Sequence, residues 1–266
     1  MYGNTVSIMA DHPVATVQTL LAHPALWRAG RIEPNTQTIS TGYPVLDSLL
    51  ADRGWPKAGL VELLSAQPGI GELRLLGPAL ARLSVQEQRW IAWINPPHIP
   101  YAPALAELGI DISKVLLVQP KTYADALWAF ERAIKSGTCS ATLAWFDDTR
   151  LAAKDVRRLK LAARRGATLA VLFRPDTAAR RQSMAELRIL LQQASLPDRL
   201  SIEILKRRGG WPTERHLLEL AYRTTRVTRH ELREQLTLWR AKSLRSLGAP
   251  PLRALPAPQS AHAGGP

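Results

Sequence analysis

Between Thr38 and about Arg208, short apolar runs alternate with stretches whose apolar residues recur every three or four positions. Short runs bounded by turn residues read as buried strands, and the three-to-four spacing reads as amphipathic helices. On this pattern LVELL, WIAWI, VLLVQ, ATLAWF, TLAVLF and LSIEILK are predicted strands. RLLGPALARLS, APALAELG, YADALWAFERAIKSG, DVRRLKLAARRG and SMAELRILLQQAS are predicted helices. Gly109, Gly137 and Gly166 fall where helices should end, as C-cap chemistry asks. The rhythm predicts an α/β fold: a three-layer domain with helices wrapped around a largely parallel central sheet.

The rhythm holds over residues 38–212, taken as the core. Residues 1–37 contain one helical stretch, VATVQTLLAHPALWRAG, whose Val17, Leu20, Leu21 and Trp27 form an apolar face, and they read as an N-terminal docking segment. Residues 213–247 read as a basic helical extension in which Leu232, Leu236, Trp239 and Leu244 fall at roughly helical spacing. Residues 248–266 are rich in Pro, Ala and Gly and are expected to be disordered.

At 266 residues the chain can bury a sizeable core. Its single cysteine, Cys139, excludes an intramolecular disulfide and a Cys-x-x-Cys metal cluster, and reads as a small core residue near a strand start. No apolar run of about 18 residues exists and the N-terminus lacks a signal sequence, so a cytoplasmic protein with no membrane partner is expected. Charge changes the picture more. Residues 1–147 carry 11 Lys and Arg against 12 Asp and Glu, whereas residues 148–266 carry 24 against 10, nets of −1 and +14. Such a half points to nucleic acid or an acidic protein partner, although arginine-rich solvated faces are also common. Of the eight tryptophans, Trp90, Trp93, Trp128 and Trp145 are expected in the core, and Trp27, Trp55 and Trp211 as surface anchors.

One stretch carries candidate chemistry. Ala66-Gln-Pro-Gly-Ile-Gly-Glu-Leu73 lies between a predicted strand and a predicted helix, the setting of a phosphate-binding P-loop, G-x-x-x-x-G-K-[ST]. Ala66 stands at the first glycine and Gly71 is kept, but Glu72 replaces the lysine and Leu73 the metal-binding hydroxyl. Gly69 adds a second flexible position, and a plain tight turn explains the loop more simply than an anion site.

The flanking motifs resemble the RecA core. Before the loop lie Ser40-Thr-Gly42, Leu46-Asp47, Gly54-Trp-Pro56 and Gly59-Leu-Val-Glu62; after it lie Trp93-Ile-Asn-Pro-Pro-His98, Leu108-Gly-Ile-Asp-Ile112 and Leu117-Val-Gln-Pro120. Within that superfamily the chain is similar to the ImuA family, RecA-like accessory proteins of a damage-inducible mutagenesis cassette that are related to the SulA-like group. The residues carrying this are Trp27-Arg28, Gly69-Ile-Gly-Glu-Leu73, Pro96-Pro-His-Ile-Pro-Tyr-Ala-Pro103 and Lys206-Arg-Arg-Gly-Gly210. The resemblance implies a role in SOS-induced translesion DNA synthesis. It also implies partnership with an ImuB-like polymerase subunit and an error-prone DNA polymerase, with RecA and single-stranded DNA as further contacts.

RecA-type hydrolysis needs a phosphate-gripping lysine, a hydroxyl on magnesium and a carboxylate that activates water. Here Glu72 would repel a triphosphate, by about 4 kcal/mol per like-charge pair a few ångström apart at intermediate dielectric. Leu73 cannot ligate a metal, and Pro97 stands where the water-activating glutamate would be. Asp147 and Asp148 suit either a metal site or N-capping of the following helix, and capping fits better. The expectation is no catalytic residue, cofactor or metal: a binding protein rather than an ATPase.

Binding candidates follow from charge. The loop Arg174–Gln182 corresponds to a DNA-contacting loop in RecA, and its Arg174, Arg180 and Arg181 suit either phosphates or plain solvation. Lys206, Arg207 and Arg208 beside Trp211 suit a contact surface or a structural strand exit, and Trp239 marks a docking stripe. The rival reading is a SulA-type division inhibitor, against which the chain length and the full set of RecA-like motifs argue.

Overall fold

The computed structural model describes residues 38–50, 53–196, 198–220, 233–234 and 236–238. The expected docking helix within residues 1–37, Trp239, the tail and most of the basic extension lie outside the described residues.

Among the described residues, ten strands and five full α-helices follow one another. They are β1 (Thr38–Ile39), α1 (Pro44–Leu49), β2 (Trp55–Pro56), β3 (Gly59–Ser65), α2 (Glu72–Gln86), β4 (Trp90–Ile94), α3 (Ala102–Glu107), β5 (Val115–Val118), α4 (Tyr123–Lys135), β6 (Cys139–Trp145), α5 (Ala153–Gly166), β7 (Leu169–Pro175), β8 (Leu187–Gln193), β9 (Arg199–Lys206) and β10 (His216–Glu219). The strands β1 and β2 form a small antiparallel ribbon; the other eight form one sheet in the order β10-β9-β8-β3-β7-β6-β4-β5. From β8 to β5 every neighbouring pair is parallel, and β9 and β10 add antiparallel strands at one edge.

Side chains alternate across a strand, so each sheet face collects its own core. Val61 and Leu63 of β3 pack with Leu75, Leu76, Ala79 and Leu80 of α2 on one face. Leu60, Ala170 and Leu172 pack with Phe130 and Ile134 of α4 and Val156, Leu159 and Ala163 of α5 on the other. The helices are of the kind the pattern predicts. Thr122 caps α4, its hydroxyl accepting from the Asp125 amide at 3.1 Å. Cys139 is the buried first residue of β6.

The structure corrects several expectations. SMAELRILLQQAS holds strand β8, parallel to β3, and not a helix. Its alternate residues Leu187, Ile189 and Leu191 are buried in the first core, and the ladder that β8 offers to β3 outweighs the helix propensity of its leucines. The core also runs past residue 212: β10 occupies part of the stretch assigned to the helical extension and pairs with β9. Residues 233–234 and 236–238 are helical, and Leu236 packs on the first core. Among the tryptophans, Trp55 is fully buried rather than a surface anchor, and Trp128 is 63% exposed rather than core.

Gly166 is not the left-handed cap that the sequence suggests. That conformation belongs to Ala167, φ 46°. A Cβ on Gly166 would lie 1.8 Å from the carbonyl oxygen of Ile134, so glycine is there because the ends of α4 and α5 touch backbone to backbone. Gly109 and Gly137, at φ 83° and 72°, follow the expected rule.

Candidate functional site

The degenerate loop lies at the C-terminal ends of the parallel strands, where open α/β sheets place ligands. It runs from the end of β3 to the first turn of α2, with Gly69 at φ 88° and Gly71 at φ 121° as the helix N-cap. Glu72, the first residue of α2, folds back over the turn. Its carboxylate accepts from the Gly69 amide at 2.6 Å and from the Gly71 amide at 3.1 Å. In a P-loop such amides cradle phosphate oxygens; here the chain's own carboxylate takes them, at a helix N-terminus that favours negative charge. Glu72 is buried, Leu73 packs against the first core, and Ala66 is exposed. Glu72→Ala should lower stability by about 1 kcal/mol, since two loop amides lose their acceptor. The urea midpoint reads this directly.

Beside the loop is a cleft of about 210 Å³, lined by Ser65, Glu72, Pro97, Trp145, Phe173 and Arg174 among others. Trp145 stacks on Phe173 with ring centroids 4.3 Å apart and planes 6° from parallel, and Trp93 lies 5.7 Å from Trp145. Aromatic rings therefore occupy the ends of β6 and β7, and Pro97 offers no base. The volume is below the roughly 300 Å³ at which small-molecule sites begin. These residues do not suit a magnesium-bound triphosphate.

On the second face, around β3, lies a buried ionic network. Glu62 is wholly buried; its Oε1 accepts from Arg174 at 2.8 Å and from the Ser183 hydroxyl at 2.6 Å, and its Oε2 from Arg188 Nε at 2.7 Å. Glu62 and Arg188 are register partners on β3 and β8; Arg174 comes from β7, the other neighbour of β3. Arg174 Nε also donates to Asp148 at 2.6 Å, and Arg181 reaches the other oxygen of Asp148 at 3.2 Å. Burial opposes the charge on Arg174, but the Glu62 and Asp148 carboxylates outweigh it and hold the guanidinium charged. Arg188 donates its remaining groups to the carbonyls of Arg181 and Ala178, at 2.9 and 2.8 Å, tying the loop after β7 to the sheet.

This network changes the reading of several candidates. Arg174, 7% exposed and paired with two carboxylates, is a structural charge and is not free to grip a phosphate. Arg180 is exposed; Arg181 is exposed but bonded to Asp148. Asp148 therefore answers Arg174 and Arg181 instead of capping the following helix. Asp147 caps a turn: both the hydroxyl and the amide of Thr149 donate to it, holding its carboxyl below the usual carboxylate range. The N-terminus of α5 is served instead by Asp155, which accepts from the Ala152 amide at 3.3 Å.

The Lys206–Trp211 hairpin divides in function. Arg207 donates to the carbonyls of Leu49 and Trp211, which is the structural strand exit. Lys206 donates to the Ser183 carbonyl at 2.7 Å, and burial together with Lys160 and Arg188 pulls its pKa down. Arg208 is exposed, and Trp211 is 86% exposed. The motifs of the RecA resemblance prove to be staples: Ser40 Oγ and the Thr41 amide both donate to Asp47 at 2.8 Å, and Gly42, φ 84°, packs on Pro78 of α2.

Sequence reasoning missed the network, yet a signal existed. Glu62, Arg174 and Arg188 are lone charges inside otherwise apolar strand runs, and a charge in a strand buried on both faces must find a partner.

Comparison with known proteins adds kinship to this geometry. Residues 60–170 match the family model described as cell division inhibitor SulA. The chain is 29% identical over 149 residues to the cell division inhibitor SulA of Edwardsiella piscicida, an alignment covering 56% of this chain and 86% of that protein. It is 33% identical over 115 residues to the cell division inhibitor SulA of Photorhabdus laumondii subsp. laumondii, covering 43% of this chain and 63% of that protein. In fold it is similar to the crystal structure of the RadB recombinase, with a TM-score of 0.56 over 70% of this chain and 97% of that one, at 13% identity. The architecture is thus a mixed α/β domain with a large, mostly parallel sheet and a RecA-like neighbour. Among the described residues no helix is long and apolar enough to cross a membrane.

Proposed function

We propose that this chain acts by binding partners through a RecA-like core that has given up nucleotide chemistry. The observation that carries the reading is the Glu72 carboxylate seated on the Gly69 and Gly71 amides, where a phosphate would have to lie. Titration calorimetry with magnesium-ATP is expected to give no binding heat. Tight, saturable binding would overturn the reading.

The comparisons favour a division inhibitor of the SulA type over the second reading below; acting as one, the chain would work in the cytoplasm and bind the tubulin-like division protein. The support is the matched segment, residues 60–170, and the names its relatives carry. A second reading is an accessory of SOS mutagenesis, in which an ImuB-like polymerase subunit and an error-prone DNA polymerase are the partners and RecA and single-stranded DNA further contacts. One observation favours it: the folded core continues well past the matched segment. Strand β8 pairs with β3, β9 with β8 and β10 with β9, and the Glu62–Arg188 bond adds a buried tie between β8 and β3.

Two phenotypes separate the readings. Expression without DNA damage should cause filamentation if the chain inhibits division. Deletion should abolish damage-induced mutagenesis, with division unaffected, if it serves translesion synthesis.

A further inference from the structure

Helices α4 and α5 pack side by side on one face of the sheet and share the second core, so their opposite sides face solvent. The exposed side of α5 carries Lys154, Arg157, Arg158, Arg164 and Arg165. Asp155, the only carboxylate in α5, is buried and turned to the Ala152 amide and Arg158. Arg158 is answered by Glu131 of α4 at 2.9 Å and Arg164 by Glu186 at 3.1 Å. Lys154, Arg157 and Arg165 have no ion-pair partner among the described residues. They recur along a helix about 21 Å long. On α4 the exposed Trp128 has the guanidinium of Arg132 over its ring, 5.9 Å from the centroid, and Lys135 is exposed at the helix end.

We infer that the α4–α5 face is a sequence-independent binding surface for single-stranded nucleic acid, with Trp128 as the stacking platform and Lys154, Arg157 and Arg165 as phosphate contacts. The choice of partner follows from chemistry. Unanswered positive charge in a row fits a phosphate backbone, and an exposed tryptophan braced by an arginine offers a π-face to a base. The large apolar side chains exposed on this face are only Trp128 and Leu161, too little to hold a folded protein surface or to enter a bilayer. The inference rests on the single-stranded-DNA contact in the second reading above and gives it a location. It moves that contact away from the loop after β7, whose Arg174 is consumed by the buried network.

The test is fluorescence anisotropy of the full chain with a labelled oligothymidylate, across a salt series. Trp128→Ala should weaken binding about tenfold, while Trp128→Phe keeps most of it, as expected of a stacking contact. The double variant Arg157→Glu with Arg165→Glu should weaken binding at least about tenfold and flatten the dependence on log salt by about one to two units. Arg82→Glu, at an exposed arginine on α2 across the sheet, should change nothing. The inference is overturned if the wild-type chain does not bind, if the face variants bind as wild type, or if a duplex or polyglutamate competes as well as the single strand. None of these outcomes decides between filamentation and mutagenesis, and neither phenotype decides them.

Discussion

Replacing Glu62 by alanine is expected to cost about 3–5 kcal/mol of folding stability, a large part of the roughly 5–15 kcal/mol that a domain of this kind possesses. The carboxylate is wholly buried and accepts three bonds, from Arg174, Arg188 and Ser183. Its removal leaves two buried guanidinium groups with only Asp148 to answer them. It also leaves the Ser183 hydroxyl without its acceptor. Water is not readmitted cheaply, because β3 is flanked by β7 and β8 and covered by the loop that Arg188 holds down. Glu62→Gln keeps the shape and an acceptor oxygen but gives up the charge, and should fall between wild type and alanine. Urea denaturation followed by circular dichroism measures all three, and an alanine variant with the wild-type midpoint would show that the network is solvated or redundant.

Gly166→Ala is the second substitution expected to act strongly, by about 3 kcal/mol or more. The added methyl would sit 1.8 Å from the Ile134 carbonyl oxygen and 2.9 Å from its carbon, both main-chain atoms at the end of α4. No rotamer relieves such a contact, so α4 and α5 must part and the second core must loosen with them. Gly137→Ala supplies the comparison. That glycine has φ 72° and its added Cβ would meet nothing nearer than 3.8 Å, so only the left-handed backbone is penalised, by about 1–2 kcal/mol. In the sequence both glycines stand at helix ends and look alike. A thermal melt in which the two variants lose equal stability would mean that the α4–α5 contact yields easily.

Much of the fold is legible in the residues because its signals are local. A buried inner strand such as β4 shows as a continuous apolar run, and α4 and α5 show as three-to-four spacing with polar outer faces. The segment that became β8 defeats local reading. Its leucines suit a helix, and only the open edge of β3 and the Glu62 carboxylate make the strand the better home. Trp55 and Trp128 exchange their expected places for a related reason: a tryptophan in a turn segment is buried if the turn folds under the sheet, and one on a helix is exposed if it lies on the outer side.

The candidate site divides the same way. Set against the RecA-like motifs, Glu72 and Leu73 stand at the lysine and hydroxyl positions and Pro97 at that of a base, and the chemistry each side chain lacks does not depend on where it is placed. What the Glu72 carboxylate does instead, and why Arg174 is unavailable while Arg157 is free, depends on distances between residues far apart in the chain. Glu62, Asp148, Arg174 and Arg188 come from separate segments, and only the pairing of β7 and β8 on either side of β3 brings their charges within hydrogen-bond reach. Charge type is written residue by residue; whether a charge is spent inside or offered outside is decided by desolvation, which exists only once the layers have closed.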